Sequence, residues 1–229
     1  MNLFELREKE IFETLKKIKE CGFVLIGGYA VNVYTLPRFS VDCDIVVADT
    51  VELEKIMKVL EEEGYKKEDA SQINTPYHGE FIRYEKILEN NFRVSMDILV
   101  KEILDRQTNA TFDAAWVFDN STLKTLKGKT IADEIKLRII TVDALIVMKW
   151  VSCRSTGIRD IFMLITKAKD IDWIKKEIAE RTDFRNRCEK ITEKITDQSF
   201  KNNLQGVYGF IDEALFEKHK KMILKLCSN

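Results

Sequence analysis

The sequence predicts an α+β protein, in which a mixed sheet flanked by helices is followed by a helical bundle, with the change near residue 140. Three observations carry this. Short apolar runs bounded by turn residues, at 23–26, 41–47 and 92–100, have the length and β-branched content of strands. Residues 3–20 repeat Phe4, Ile11, Leu15 and Ile18 on one helical face. Beyond Thr141 every segment reads helical. With 45% hydrophobic and 33% charged side chains, the 229 residues suffice for two modest domains, 1–140 and 141–229. No run approaches the roughly 20 apolar residues of a membrane span. The charged first twenty residues lack a signal-peptide core, so a cytoplasmic protein is expected.

Taken in order, Asn2 and Glu5 are spaced as a capping box ahead of the first helix, which Cys21-Gly22 ends. A strand at 23–26 leads through Gly27-Gly28 into a helix that stops near Leu36, before Pro37. Arg38-Phe39-Ser40 then bridges to a strand at 41–47. Asp49 and Glu52 repeat the capping-box spacing and open a helix through Glu63, closed by Gly64, which makes Asp49 a cap and not a ligand. Residues 65–80 are polar and turn-rich, and 80–84 and 92–100 form a strand pair around a turn at 89–91. From 101 to 140 the signals weaken: a loop or short helix, then short strands near 116–118 and 130–132 with Gly128 in a turn between them. Thr141 is an N-cap, with Asp143 in the first turn of a helix that Ser155-Thr156-Gly157 breaks. Helices resume over 158–168, 172–181, 183–194, 198–208 and 211–226.

The chemistry concentrates at 23–47. Asp42 and Asp44 lie two apart on a strand and so face the same way, a repulsive pair that no core would select. A divalent cation explains them, since hard Mg²⁺ is held by one or two carboxylates plus substrate phosphates. Gly27-Gly28 just upstream would offer backbone N–H groups to an anion. Asp97, amid the apolar residues of FRVSMDILV, also needs a partner: a shared cation, or Arg93 or Lys101 at the surface. Five cysteines without a CxxC pair and only two histidines argue against a zinc site and structural disulfides. Residues 1–100 carry 13 basic and 19 acidic side chains, and 101–229 carry 24 and 19. That asymmetry suits an acidic metal-binding half beside a basic half facing phosphates, and equally suits solvated helices.

With those residues in view, GGYAVNVY…RFSVDCDIVV, with thirteen residues between Gly28 and Asp42 and a further strand carboxylate at Asp97, resembles the DNA polymerase β-like nucleotidyltransferases. Within them it is similar to the small enzymes grouped with the AbiEii-type toxins and the antibiotic nucleotidyltransferases. A second block, Asp143…Lys149…Arg154…Gly157-Ile158-Arg159-Asp160, looks like the toxin side of that group. The resemblance covers 23–47, 92–100 and 141–165. It implies a nucleotidyltransferase fold over 1–140, with the helical domain completing the cleft. It implies Mg²⁺ or Mn²⁺ on Asp42, Asp44 and Asp97, an NTP substrate, and a two-metal transfer of an NMP to a hydroxyl, with Asp97 helping to deprotonate the acceptor. Gly27, Gly28, Arg38, Ser40, Lys149, Arg154 and Arg159 become phosphate ligands, and Asp160 orients Lys149. Plainer roles also fit: Lys149 snorkelling from a core helix, and Asp160 as a first-turn dipole partner. The implied acceptor is an RNA end such as tRNA, or a protein, with an antitoxin as partner. A small antibiotic-like compound is the alternative acceptor, and a catalytically silent regulator or partner subunit the alternative of another class. Many members carry Gly-Ser at the turn; this chain has Gly-Gly followed by Tyr29.

Overall fold

The computed structural model describes residues 2–68, 77–105 and 107–228, so part of the turn-rich segment 65–80 lies outside the described residues. The chain divides into two compact units. One comprises Met1–Val33 and Phe39–Ile140, the other Tyr34–Arg38 and Thr141–Asn229.

The first unit is built on a mixed sheet. Helix α1 (Leu3–Ile18) starts where the Asn2 side chain accepts from the Phe4 and Glu5 amides, and it buries Ile11, Phe12, Leu15 and Ile18 completely. Strand β1 (Phe23–Leu25) pairs antiparallel with β2 (Asp42–Val47), and β2 pairs parallel with the long β5 (Arg93–Asp105). On the far side of β5 come β4 (Tyr77–Ile87), antiparallel, and the two-residue β3 (Lys66–Lys67). β6 (Thr111–Asp113) pairs with the end of β5. Beyond β1 lie β8 (Glu134–Ile140), parallel to it, and β7 (Ser121–Lys127), giving the order β3-β4-β5-β2-β1-β8-β7. β2 and residues 96–100 of β5 are apolar on both faces except where they carry carboxylates, as strands buried under helices should be.

Local chemistry sets the turns. Helix α2 (Gly27–Asn32) is shorter than its expected reach to Leu36, because the chain leaves the helix at Val33 and residues 34–38 join the other unit. Helix α3 (Thr50–Glu62) has Asp49 as its cap, accepting from the Glu52 amide. Glu52 does not complete the box; its carboxylate takes the Gly22 amide at 2.6 Å and Lys55 at 2.6 Å. The 89–91 turn holds Asn90 and Asn91 at positive φ, a conformation asparagine tolerates. Two expectations fail between 101 and 140. Residues 116–118 lie in helix α4 (Ala114–Asp119), which Asp113 caps through the Trp116 amide, and not in a strand. The strands flanking Gly128 are β7 and β8; Lys129 and Thr130 instead donate to the buried Glu8 carboxylate of α1, at 2.6 and 2.8 Å. β7 is an edge strand with only Leu126 buried, so its hydrophobic pattern was nearly absent.

The second unit is helical. Thr141 caps α5 (Val142–Ser152), and Cys153 ends it in the left-handed conformation. The break therefore falls at Cys153-Arg154, and Ser155-Thr156-Gly157 form the first turn of α6 (Ser155–Leu164). Asp143 accepts from the Lys169 and Asp170 amides, which ties the start of α5 to the start of α7 (Ile171–Ala179). α8 (Phe184–Thr196), α9 (Phe200–Tyr208) and α10 (Glu213–Cys227) follow, with Asp183 and Asp212 capping α8 and α10. The core gathers Trp150, Phe162, Phe200, Ile174, Ile191 and Ile223, each fully buried. Each such side chain contributes roughly 1.5–3 kcal/mol relative to an exposed one. Among the described residues, no helix is long and apolar enough to cross a membrane.

Candidate active site

The alternation of β2 puts Asp42 and Asp44 on one face and sends Cys43 into the core, where it is fully buried. The parallel pairing of β2 with β5 sets Asp44 directly beside Asp97. Carboxylate oxygens of Asp42, Asp44 and Asp97 all lie within 4.8 Å of one another. The Ile26 amide donates to the Asp44 carbonyl at 3.0 Å, holding the β1–α2 turn against this cluster. Gly27 has φ +64°, and a Cβ added there would sit 1.9 Å from Asp44 Oδ2, so the turn approaches the carboxylate as only glycine can. Three hard oxygen donors converging on one point, with a backbone pressed against them, suit Mg²⁺ or Mn²⁺.

The third carboxylate has a resident partner. Asp97 pairs with neither Arg93, which bonds Glu85 at 3.1 Å, nor the surface. Its two oxygens accept from Arg83 Nε at 2.7 Å and Arg83 Nη2 at 2.6 Å, a bidentate pair across the β4–β5 register. The same Nη2 lies 3.9 Å from Asp42 Oδ2. Burial pushes the Asp97 carboxyl up to about 6; the hydrogen bonds and charge of Arg83 oppose the rise, and the charge of Asp42 adds to it. Arg83 was missed from the sequence, although a signal existed. A hairpin centred on residue 90 pairs residues equidistant from it, and Arg83 and Asp97 are each seven positions away.

The helical unit holds a second polar centre. Asp160, 2% exposed, accepts from Arg38 Nε and Nη2, both at 2.8 Å, from Lys149 Nζ at 2.7 Å, and from the Tyr208 hydroxyl. Burial alone would raise this carboxyl, but Lys149 and Arg38 outweigh it and hold Asp160 well below the ordinary carboxylate range. Asp160 is the sixth residue of α6, so it is not a first-turn dipole partner, and Lys149 turns its ammonium onto Asp160 instead of snorkelling to water. Gly28 is buried within α2. Ser40 lies half-buried in the link before β2. Arg154 occupies the N-cap of α6, and Arg159 is half-buried one residue before Asp160. Tyr208 was not foreseen, since nothing in a C-terminal helix's sequence points to a carboxylate 48 residues earlier.

A carboxylate cluster on neighbouring parallel strands, abutting a glycine turn into a short helix, defines the class of the nucleotidyltransferases. The fold agrees with solved structures. JHP933 from Helicobacter pylori aligns over 100% of this chain and 93% of its own, with a TM-score of 0.56 at 14% identity. A putative nucleotidyltransferase from H. pylori aligns over 100% and 96%, with a TM-score of 0.54 at 14% identity. An antigenic nucleotidyltransferase-like protein from Paracoccidioides brasiliensis covers 94% and 96%, with a TM-score of 0.50 at 13% identity. No curated protein matches the chain in sequence. The model of the family described as "Nucleotidyl transferase AbiEii toxin, Type IV TA system" matches residues 12–226, and the chain belongs to that family. The resemblance read from the glycine and aspartate blocks is thereby borne out, and nucleotidyl transfer is the reaction class.

Proposed function

We propose that this protein is a divalent-cation-dependent nucleotidyltransferase that moves an NMP from an NTP to a hydroxyl at the end of an RNA. The observation that carries the reading is the convergence of Asp42, Asp44 and Asp97 beside Gly27. Asp42 and Asp44 are the principal ligands of Mg²⁺ or Mn²⁺. When bound, such an ion supplies Lewis-acid stabilisation of charge on the phosphoryl oxygens. Backbone N–H groups at Gly27-Gly28 donate to the NTP phosphates, with no Cβ of their own to hold the anion off. Lys149 and Arg38, held rigid by Asp160, are fixed cations of the kind that compensate phosphate charge, with Ser40, Arg154 and Arg159 as further phosphate contacts. Asp160 keeps both cations oriented.

The RNA acceptor is supported by the family's toxin designation and by the second unit's 18 basic against 13 acidic side chains, a net +5. The same designation brings an antitoxin into the proposal as a protein partner. The test is incubation with labelled NTPs, Mg²⁺ and total tRNA. Label should pass to RNA, fall as salt rises, and vanish in the Asp42→Ala/Asp44→Ala double variant. Transfer that survives this variant removes the site assignment. Label passing to protein or to a small hydroxyl compound replaces the acceptor, and nucleotide binding absent with and without Mg²⁺ identifies a catalytically silent module.

A further inference from the structure

We propose that Arg83 takes the place of a second metal ion, so that the cluster holds a single divalent cation on Asp42 and Asp44 while Asp97 anchors the guanidinium. This rests on the reading of the cluster as a cation site.

The placement is built into the sheet. β2, β5 and β4 are neighbours, and their registers put Asp44, Asp97 and Arg83 in one row across three strands. The guanidinium meets both Asp97 oxygens in the fork geometry that suits a carboxylate and stays charged at every working pH. The Asp97 side chain is only 3% exposed, and both of its oxygens are already engaged by Arg83. Arg83 also leans to within 3.9 Å of Asp42, across the gap that an ion bridging Asp42 and Asp97 would fill. Three carboxylates and one guanidinium sum to −2, the charge that one divalent ion balances. Arg83 is thus a positioning residue, one that fixes the number of ions and lends the site a permanent positive charge beside Asp42.

The test is the stoichiometry of Mn²⁺ bound to the full chain, titrated alone and read by electron paramagnetic resonance. Wild type should bind one ion, lost in Asp44→Asn. Arg83→Lys should keep one, Arg83→Met should gain a second, and Arg83→Met/Asp97→Asn should return to one. Should Arg83→Met fail to fold, Asp97→Asn alone decides: it should still bind one ion, and loss of all binding overturns the proposal. Two ions on wild type, or one on a folded Arg83→Met, also overturn it while leaving the cation site intact. No Mn²⁺ on any variant removes the cation site itself and the proposal with it.

Discussion

Gly27→Ala separates backbone strain from loss of the site. Gly27 sits at φ +64°, where an alanine costs about 1–2 kcal/mol. For a protein of this length that corresponds to a melting temperature lower by roughly 2–8 °C. A steric cost is added. The new Cβ would lie 1.9 Å from Asp44 Oδ2, 2.6 Å from its Cγ and 3.0 Å from its Cβ. The Asp44 Cβ is fixed by the β2 ladder, so the least costly relief is rotation of the carboxylate away from the turn and out of its present position. That rotation removes a ligand, and a loss of about 1.4 kcal/mol already means tenfold weaker Mn²⁺ binding. The expectation is therefore a lower melting temperature in EDTA together with at least about tenfold weaker Mn²⁺ affinity. Gly64→Ala is the control. It has the same positive-φ problem at +84° with nothing within 4 Å of the added Cβ, so it should melt lower and bind Mn²⁺ normally. If Gly27→Ala matched Gly64→Ala in both measurements, the turn would not be shaping the cluster.

Other substitutions report on the rest of the frame. Asp160→Asn leaves the half-buried Lys149 and Arg38 facing a neutral amide and should cost about 3 kcal/mol in urea unfolding; an unchanged midpoint refutes the reading. Because the Asp160 carboxyl is held below the ordinary range, its contribution is complete above about pH 4 and is lost only in stronger acid. His219 acts in the same direction at higher pH. It is buried, its Nδ1–H donates to the Phe162 carbonyl at 2.6 Å, and burial lowers its pKa despite that bond. Below about pH 6.5 the unfolded chain takes up a proton that the native imidazole resists, so stability should fall on acidification. His219→Gln should flatten that slope between pH 7.5 and 5.5 in urea titrations. Asp49→Ala removes the cap of α3 and should cost about 1 kcal/mol without altering Mn²⁺ binding, as expected for a cap and not a ligand.

Much of this was legible in the sequence because the relevant signals are local. Side-chain alternation around Cys43 placed two carboxylates on one face, and Asp49, Thr141 and the 89–91 turn announced themselves by residue type. What stayed hidden depends on register and long-range pairing. Arg83 gains meaning only when β4 is laid against β5, and Tyr208 only when α9 packs on α6. β7 escaped because an edge strand with one buried residue has no apolar alternation to read, and residues 116–118 misled because a short apolar run fits helix and strand alike.

The five residues Tyr34–Arg38 belong to the helical unit although the chain on either side of them belongs to the other. Each unit is therefore discontinuous, and a cut near residue 140 separates Arg38 from Asp160, its partner 122 positions away. During synthesis Arg38 emerges early and waits for α6, while Asp160 waits further for Tyr208. The helical unit can close its polar centre only after nearly the whole chain is made, so an isolated 141–229 fragment would hold a buried aspartate with one of its two cations missing.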